Sequence, residues 1–345
     1  GIYWLLIPGR PAGLKAGLAF GASAWFRPNV LSVALILAAV ARPLGRESQA
    51  KTWATLLLGR ALALAPLAIR NLIVSHEFVL TTVAGGIVFY KGNAPGPGLY
   101  TVPAFSSNRP TVEAREFREE ASRRTGAPIS AAGASRFWTA ETWRVVRADP
   151  AGWTARMARK AVALVHAEEP STNLDYDQFT RGAPIRMSPV TFGGLWVLAV
   201  LGTLWCWRDL RARVLAAYVA AYATTLLLFI VAPEYRLPLA PALAVLAGLG
   251  IVHLPRYWEE SGGLRRALVF GAAGLALIVL HRPVFVPREP QARVMLGRMY
   301  LDRGDPSAAL EEFDAAVRLG VPAAAIEPWR ALAEAALARP RPAPP

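Results

Sequence analysis

Apolar residues in this chain run in long blocks, divided by short turns dense in arginine. Residues 190–207, 214–232, 237–254 and 264–280 each match about the length a helix needs to cross the hydrocarbon core of a bilayer. Residues 52–72 are also long enough, with Arg60 in the first half on a side chain that can snorkel toward the interface. Residues 12–26 and 29–42 are each short for a crossing and meet at "WFRPNV". They predict either a shallow hairpin with Arg27 at its tip or one kinked span.

The pattern changes over residues 73–189, a segment too long for a bare connection and expected to have structure of its own. "EFVLTT" and "GIVFY" alternate like short strands. "TVEAREFREEASRRTG" reads as a charged helix. In "SRFWTAETWRVVRADP" and "AGWTARMARKAVALVHAEE", Phe137, Trp138, Trp143, Val146, Trp153, Met157 and Val162 recur at roughly helical spacing. Such helices pack on one another or lie on the outer leaflet. After His281 the pattern changes again. "ARVMLGRMYLDRGDPSAALEEFDAAVRLG" sets Leu296, Gly297, Tyr300, Ala309, Phe313 and Ala316 at the spacing of a tetratricopeptide repeat, with Gly304-Asp305-Pro306 as the turn. Helices are predicted over 291–302 and 306–319, and "AIEPWRALAEAALA" begins a second unit; an ordinary helical hairpin is the alternative.

Charge fixes the expected orientation. The formal balance of +14 in a chain that is 54% hydrophobic suits Lys and Arg flanking membrane spans, and no nucleic-acid motif accompanies it. The turns 42–51, 208–213 and 254–266 carry Arg42, Arg46, Lys51, Arg208, Arg211, Arg213, Arg256, Arg265 and Arg266, whereas the opposite short turns carry only Arg27 and Arg236. The first set is therefore expected in the cytoplasm, with 73–189, the "PEYRLP" turn and the tail outside. The single cysteine, Cys206, rules out an internal disulfide. The opening "GIYWLLIPGRP" has no Met and reads as the end of an apolar segment, so an N-terminal part is expected to precede it.

Four polar clusters converge by this topology at the outer membrane surface: Arg27 with Asn29, Arg70 with Asn71, Lys91 with Asn93, and Glu234-Tyr235-Arg236. Arginine forks and a lysine point charge suit a phosphate or pyrophosphate at the headgroup plane. They equally suit anchoring helix ends to lipid or neutralising helix carbonyl ends. Asp175 and Asp177 in "LDYDQ" have the spacing of a divalent-metal pair, the one cofactor the pattern admits. His76, His166, His253 and His281 share no ligand spacing, and no Walker loop, dinucleotide turn or Ser-His-Asp pattern occurs.

Several stretches resemble one family. "ALAPLAIRNLIVSHEFVLTTVAGGIVFYKGN", "GLAFGASAWFRPNVL", "APEYRLPLAPALAVLAG" and "RADPAGWTARMARKAVALVHAEEP", with Asp149-Pro150 and Lys160, stand between residues 12 and 255. Together they are similar to bacterial membrane glycosyltransferases of the GT-C fold, the group of protein O-mannosyltransferases and the lipid A aminoarabinose transferase. Small departures are Leu67 after Pro66, His76 after Ser75 and Trp153 as the aromatic ahead of Lys160.

The resemblance implies a mostly α, polytopic membrane protein of a bacterial inner membrane, GT-C-like, with its active face outside the cytoplasm. The expected parts are transmembrane helices over 1–72, an extracytoplasmic α/β insert over 73–189, transmembrane helices over 190–282, tetratricopeptide-like helices over 288–338 and a Pro-rich end over 339–345. It implies a sugar donor on polyprenyl phosphate and transfer to an extracytoplasmic acceptor, with Arg70, Lys91 and Arg236 holding the phosphate. Arg27, Asn71, Asn93 and Tyr235 complete the substrate-binding set. The catalytic carboxylate is expected upstream of Gly1, and Glu234 is the local alternative. Membrane lipids, and a protein docked on the C-terminal helices, are the other expected partners. A scaffold recruiting partners through its tail, or a transporter for lipid-linked sugars, are the competing readings.

Overall fold

The computed structural model describes residues 1–6, 12–40, 49–96, 98–106, 111–169, 190–282 and 289–338. Its regular structure is helical. In chain order the helices of the larger unit are α1 (Ile2–Leu6), α2 (Ala12–Ser23), α3 (Val30–Val40), α4 (Gln49–Ser75), α5 (Gly85–Asn93), α6 (Glu113–Thr125), α7 (Ala131–Ala148), α8 (Pro150–Val165), α9 (Phe192–Trp205), α10 (Leu210–Leu228), α11 (Pro233–Arg236), α12 (Ala240–Glu260) and α13 (Gly263–Leu280).

Three helices, Ala50–Ser75, Pro233–Glu260 and Gly263–Leu280, are long and apolar enough to cross a membrane. Their outer surfaces give the physical reason for reading them so. No residue of α13 is buried against protein, and Leu264, Leu268, Leu275 and Ile278 stand exposed along it. Such a surface is costly in water and neutral against acyl chains. The apolar helices Val30–Val40 and Phe192–Trp205 are shorter. Residues 12–42 resolve into two helices of 12 and 11 residues around the turn that carries Arg27. At 1.5 Å per residue each is about 18 Å long, well under the hydrocarbon thickness. Gly13, Gly17 and Gly21 of α2 lie against α4, where a Cβ on Gly17 would overlap the Leu56 carbonyl. Small residues here let two backbones approach closely.

The expected α/β insert is not what forms. No strand occurs among the described residues. "GIVFY" lies within α5, and residues 77–82 are irregular. A short apolar run fits either period, and here packing against helices decides. Ile87 joins Phe117, Ala121, Ala134 and Trp138 in a buried cluster, and Gly86 sits so close to the Ser135 carbonyl that a Cβ would overlap it. Gly86 N–H donates to Ser135 Oγ at 3.0 Å. Trp138 anchors the cluster through Nε1, which donates to the Phe117 carbonyl at 3.0 Å. Helix α8 begins where its sequence signals it, with the Asp149 carboxylate accepting from Gly152 N–H at 2.9 Å and Pro150 in the first turn.

The smaller unit is formed by α14 (Glu289–Asp302), α15 (Pro306–Arg318) and α16 (Ala323–Leu337). Arg293 pairs with Glu312 at 2.9 Å and Gly297 faces the Phe313 ring, so α14 and α15 run antiparallel about the turn at Gly304. Ala309, Phe313, Ile326 and Ala333 form its core, with Val294, Tyr300 and Leu301 packed beside them. Leu296, expected in this contact, is half-buried outside that cluster.

Candidate functional site

The C-terminal end of α10, the α2–α3 turn and the segment entering α5 enclose a mostly apolar cavity of about 430 Å³. Phe26, Leu31, Val88, Leu226, Phe229 and Ile230 supply its apolar wall. Arg27, Asn29, Tyr222, Thr225 and Tyr235 are its polar members. Proline at position 28 and the short α2 and α3 put Arg27 and Asn29 at the cavity rather than in a helix. The Arg27 guanidinium lies over the Tyr235 ring at 4.7 Å and donates to the Glu234 carbonyl at 3.4 Å. Asn29 Nδ2 donates to Thr225 Oγ1 at 3.0 Å. A volume of this size, apolar with a few polar groups, is typical of a small-molecule site. One cation on its lining suits an amphiphile with an anionic head.

Thus three of the sequence-predicted residues, Arg27, Asn29 and Tyr235, meet at one cavity. Arg70, Asn71, Lys91, Asn93 and Arg236 do not line it. Arg70 is exposed, and its guanidinium donates to Asn71 Oδ1 at 3.2 Å. Asn71 Nδ2 holds the Val79 and Thr81 carbonyls at 3.0 and 3.3 Å, fixing the irregular segment after α4. Lys91 is buried and paired with Glu113 at 2.5 Å. Glu234 is exposed, and it is its backbone carbonyl that meets Arg27.

Asn93 and Arg236 close helix ends. The last carbonyls of a helix have no partner within it. At the end of α10, Asn93 Nδ2 donates to the Leu228 carbonyl at 2.8 Å. Lys160 Nζ takes the Leu227 and Phe229 carbonyls on either side, each at 2.7 Å. At the end of α8, Arg236 donates to the Ala163 and His166 carbonyls at 2.7 and 3.2 Å, with its guanidinium over Phe192 at 4.2 Å. Asn93 is itself held: its Oδ1 accepts from Trp153 Nε1 at 2.8 Å and its carbonyl from Arg156 at 2.6 Å. Burial, with the Arg156 cation nearby, brings the Lys160 amine down to about 7. A neutral amine has two N–H groups, the number of carbonyls it serves.

Asp175 and Asp177 lie outside the described residues. Among the described residues, no group of three or more His, Cys, Asp or Glu side chains gathers as metal ligands. Compared with known proteins, the chain matches no family model, no curated protein and no solved structure.

Sequence spacing missed Tyr222 and Thr225, which look like ordinary members of an apolar helix. It assigned no role to Lys160 or Arg156, whose partners lie 63 to 69 positions away. The only local signal was the presence of two cations, Arg156 and Lys160, on the same face of an amphipathic helix.

Proposed function

We propose that this chain belongs to a multi-pass membrane glycosyltransferase of GT-C type that takes a sugar from a polyprenyl-phosphate donor, and that the cavity seats the lipid-proximal part of that donor. The reading rests on one observation: two stretches that resemble the family, "WFRPNV" and "PEYRLP", meet at one apolar cavity, with Arg27 stacked on Tyr235. The apolar wall suits an isoprenoid, and Arg27 is the cation that meets its phosphate. Negative charge left on the phosphate as the sugar departs is stabilised there. No carboxylate is part of the cavity lining, so the acceptor hydroxyl is deprotonated by a group outside it. The arginine-rich turns face the cytoplasm in this reading, and the cavity opens toward the outer leaflet.

The test is binding of undecaprenyl phosphate and of undecaprenol to the full chain in detergent micelles. The phosphate is expected to bind at least tenfold more tightly, about the worth of one charge-assisted contact, and Arg27→Ala is expected to remove that preference. Equal affinity for alcohol and phosphate, unaffected by Arg27→Ala, overturns the reading.

A further inference from the structure

Tyr222 is the polar group in the cavity that the fold leaves without use. It is 1% exposed and lines the cavity, and its hydroxyl has no hydrogen-bond partner among the described residues. Its neighbours are not in that position. Tyr218, one turn earlier and stacked on it with ring centroids 5.8 Å apart, donates its hydroxyl to the Pro238 carbonyl at 3.0 Å. Thr225 donates to the Tyr222 carbonyl at 2.7 Å while accepting from Asn29 at 3.0 Å. The stacking fixes the Tyr222 ring, and the Asn29–Thr225–Tyr222 chain ties its backbone to the α2–α3 turn. A phenol held this way inside an apolar wall is a donor without an acceptor, an arrangement folded proteins rarely keep. Phenylalanine would fill the same volume without desolvating a hydroxyl.

We infer that Tyr222 is a ligand-recognition residue: its hydroxyl donates to the oxygen bonded to the first carbon of an amphiphile seated in the cavity, while Arg27 meets the charged head. The inference rests on the lipid-phosphate reading for the identity of that head, but not for the contact itself. Tyr222 reads an oxygen that a prenol and a prenyl phosphate share; Arg27 reads a charge that only the phosphate has. The two residues therefore separate the tail-linked oxygen from the phosphate as determinants of binding.

Farnesyl phosphate and farnesol, which share a tail and that oxygen, are suitable probes with the full chain in lipid-free detergent micelles. Tyr222→Phe is expected to weaken both by about tenfold, the worth of a neutral hydrogen bond left unmade, whereas Arg27→Ala weakens only the phosphate. Melting of Tyr222→Phe without ligand is expected at or above that of the unaltered chain, because no protein partner is lost. Unchanged affinity for both probes in Tyr222→Phe means that the hydroxyl is merely hydrated and overturns the inference. So does a lowered melting temperature of that variant, which would mark a structural partner, and so does failure of the unaltered chain to bind either probe. Loss of both probes in Tyr222→Phe with no effect of Arg27→Ala keeps the inference and sinks the phosphate reading.

Discussion

Two sets of polar side chains stand around the end of α10, and they are built differently. Arg27, Asn29 and Tyr235 are half-buried on the wall of a cavity, with Arg27 making one long hydrogen bond at 3.4 Å and one ring contact. Asn93, Lys160 and Arg236 are almost wholly buried, and each donates to main-chain carbonyls at 2.7 or 2.8 Å. The first set keeps donor capacity on a space that a ligand can enter. The second set is held by the backbone, because helix C-terminal carbonyls taken away from water need donors. The lesson is that a cation near the membrane edge has two competing claimants, a bound anion and the helix ends, and only its surroundings show which has it.

The strongest way to break this comparison is to remove a member of the second set and look for effects belonging to the first. Arg236→Ala strands carbonyls at the end of α8 and opens a void over Phe192. Charge-assisted hydrogen bonds contribute about 1.5–3 kcal/mol each, so a loss of about 3 kcal/mol or more of unfolding free energy is expected. It should appear in urea unfolding of the chain in micelles and as faster hydrogen exchange in the last turn of α8. Arg236→Lys is expected to recover only part, since a point charge cannot serve several carbonyls as a fork does. An Arg236→Ala chain that unfolds normally but fails to bind prenyl phosphate would move Arg236 into the first set.

Lys160 gives a smaller effect with a pH signature. Burial lowers its amine from the ordinary 10.5 to about 7 in the folded protein. Between those values the unfolded chain holds the proton and the folded chain does not, so the unfolded state binds more protons. Stability from this group therefore rises as pH rises from about 7 toward 10.5, and below about 7, where both states are protonated, it is flat and lowest. Melting temperatures at pH 6.5, 8 and 9.5 should climb in the unaltered chain relative to Lys160→Met, which lacks the titrating group. Parallel pH profiles for the two chains would show that the amine stays charged against the carbonyls.

What the sequence made legible follows from the range of the forces involved. The apolar runs of α4, α12 and α13 are visible because bilayer thickness acts on contiguous residues. The α14–α15 pair is visible because Gly297 and Phe313 obey a local repeat spacing. The α5 helix was not visible, since five apolar residues fit a strand as well, and a distant carbonyl, that of Ser135, decided against it. The site was half legible for the same reason. Arg27 and Tyr235 sit in compact stretches that read as a unit, whereas nothing near Lys91 in sequence announces Glu113 across the loop that follows, and nothing near Arg236 announces the α8 carbonyls. Tyr222 carries no sequence signal at all; its interest comes from a hydroxyl that only the folded surroundings leave without an acceptor.

The smallest expected effect belongs to Arg70, and it sharpens the division further because Arg70 fits neither set. It is exposed on α4, and its printed partner is its own neighbour, Asn71, at 3.2 Å. An exposed contact of this kind is screened by solvent, so Arg70→Ala should change unfolding free energy by less than about 0.5 kcal/mol. Asn71 has the structural task instead, through the Val79 and Thr81 carbonyls, and those bonds do not depend on the guanidinium. Prenyl phosphate affinity then distinguishes two extents of the site. If the cavity alone sets binding, Arg70→Ala and Arg70→Lys both retain nearly full affinity while Arg27→Ala loses at least tenfold. If Arg70→Ala and Arg70→Lys both match the loss of Arg27→Ala, the anion spans from the cavity to the end of α4, and a bidentate fork at position 70 is part of the site.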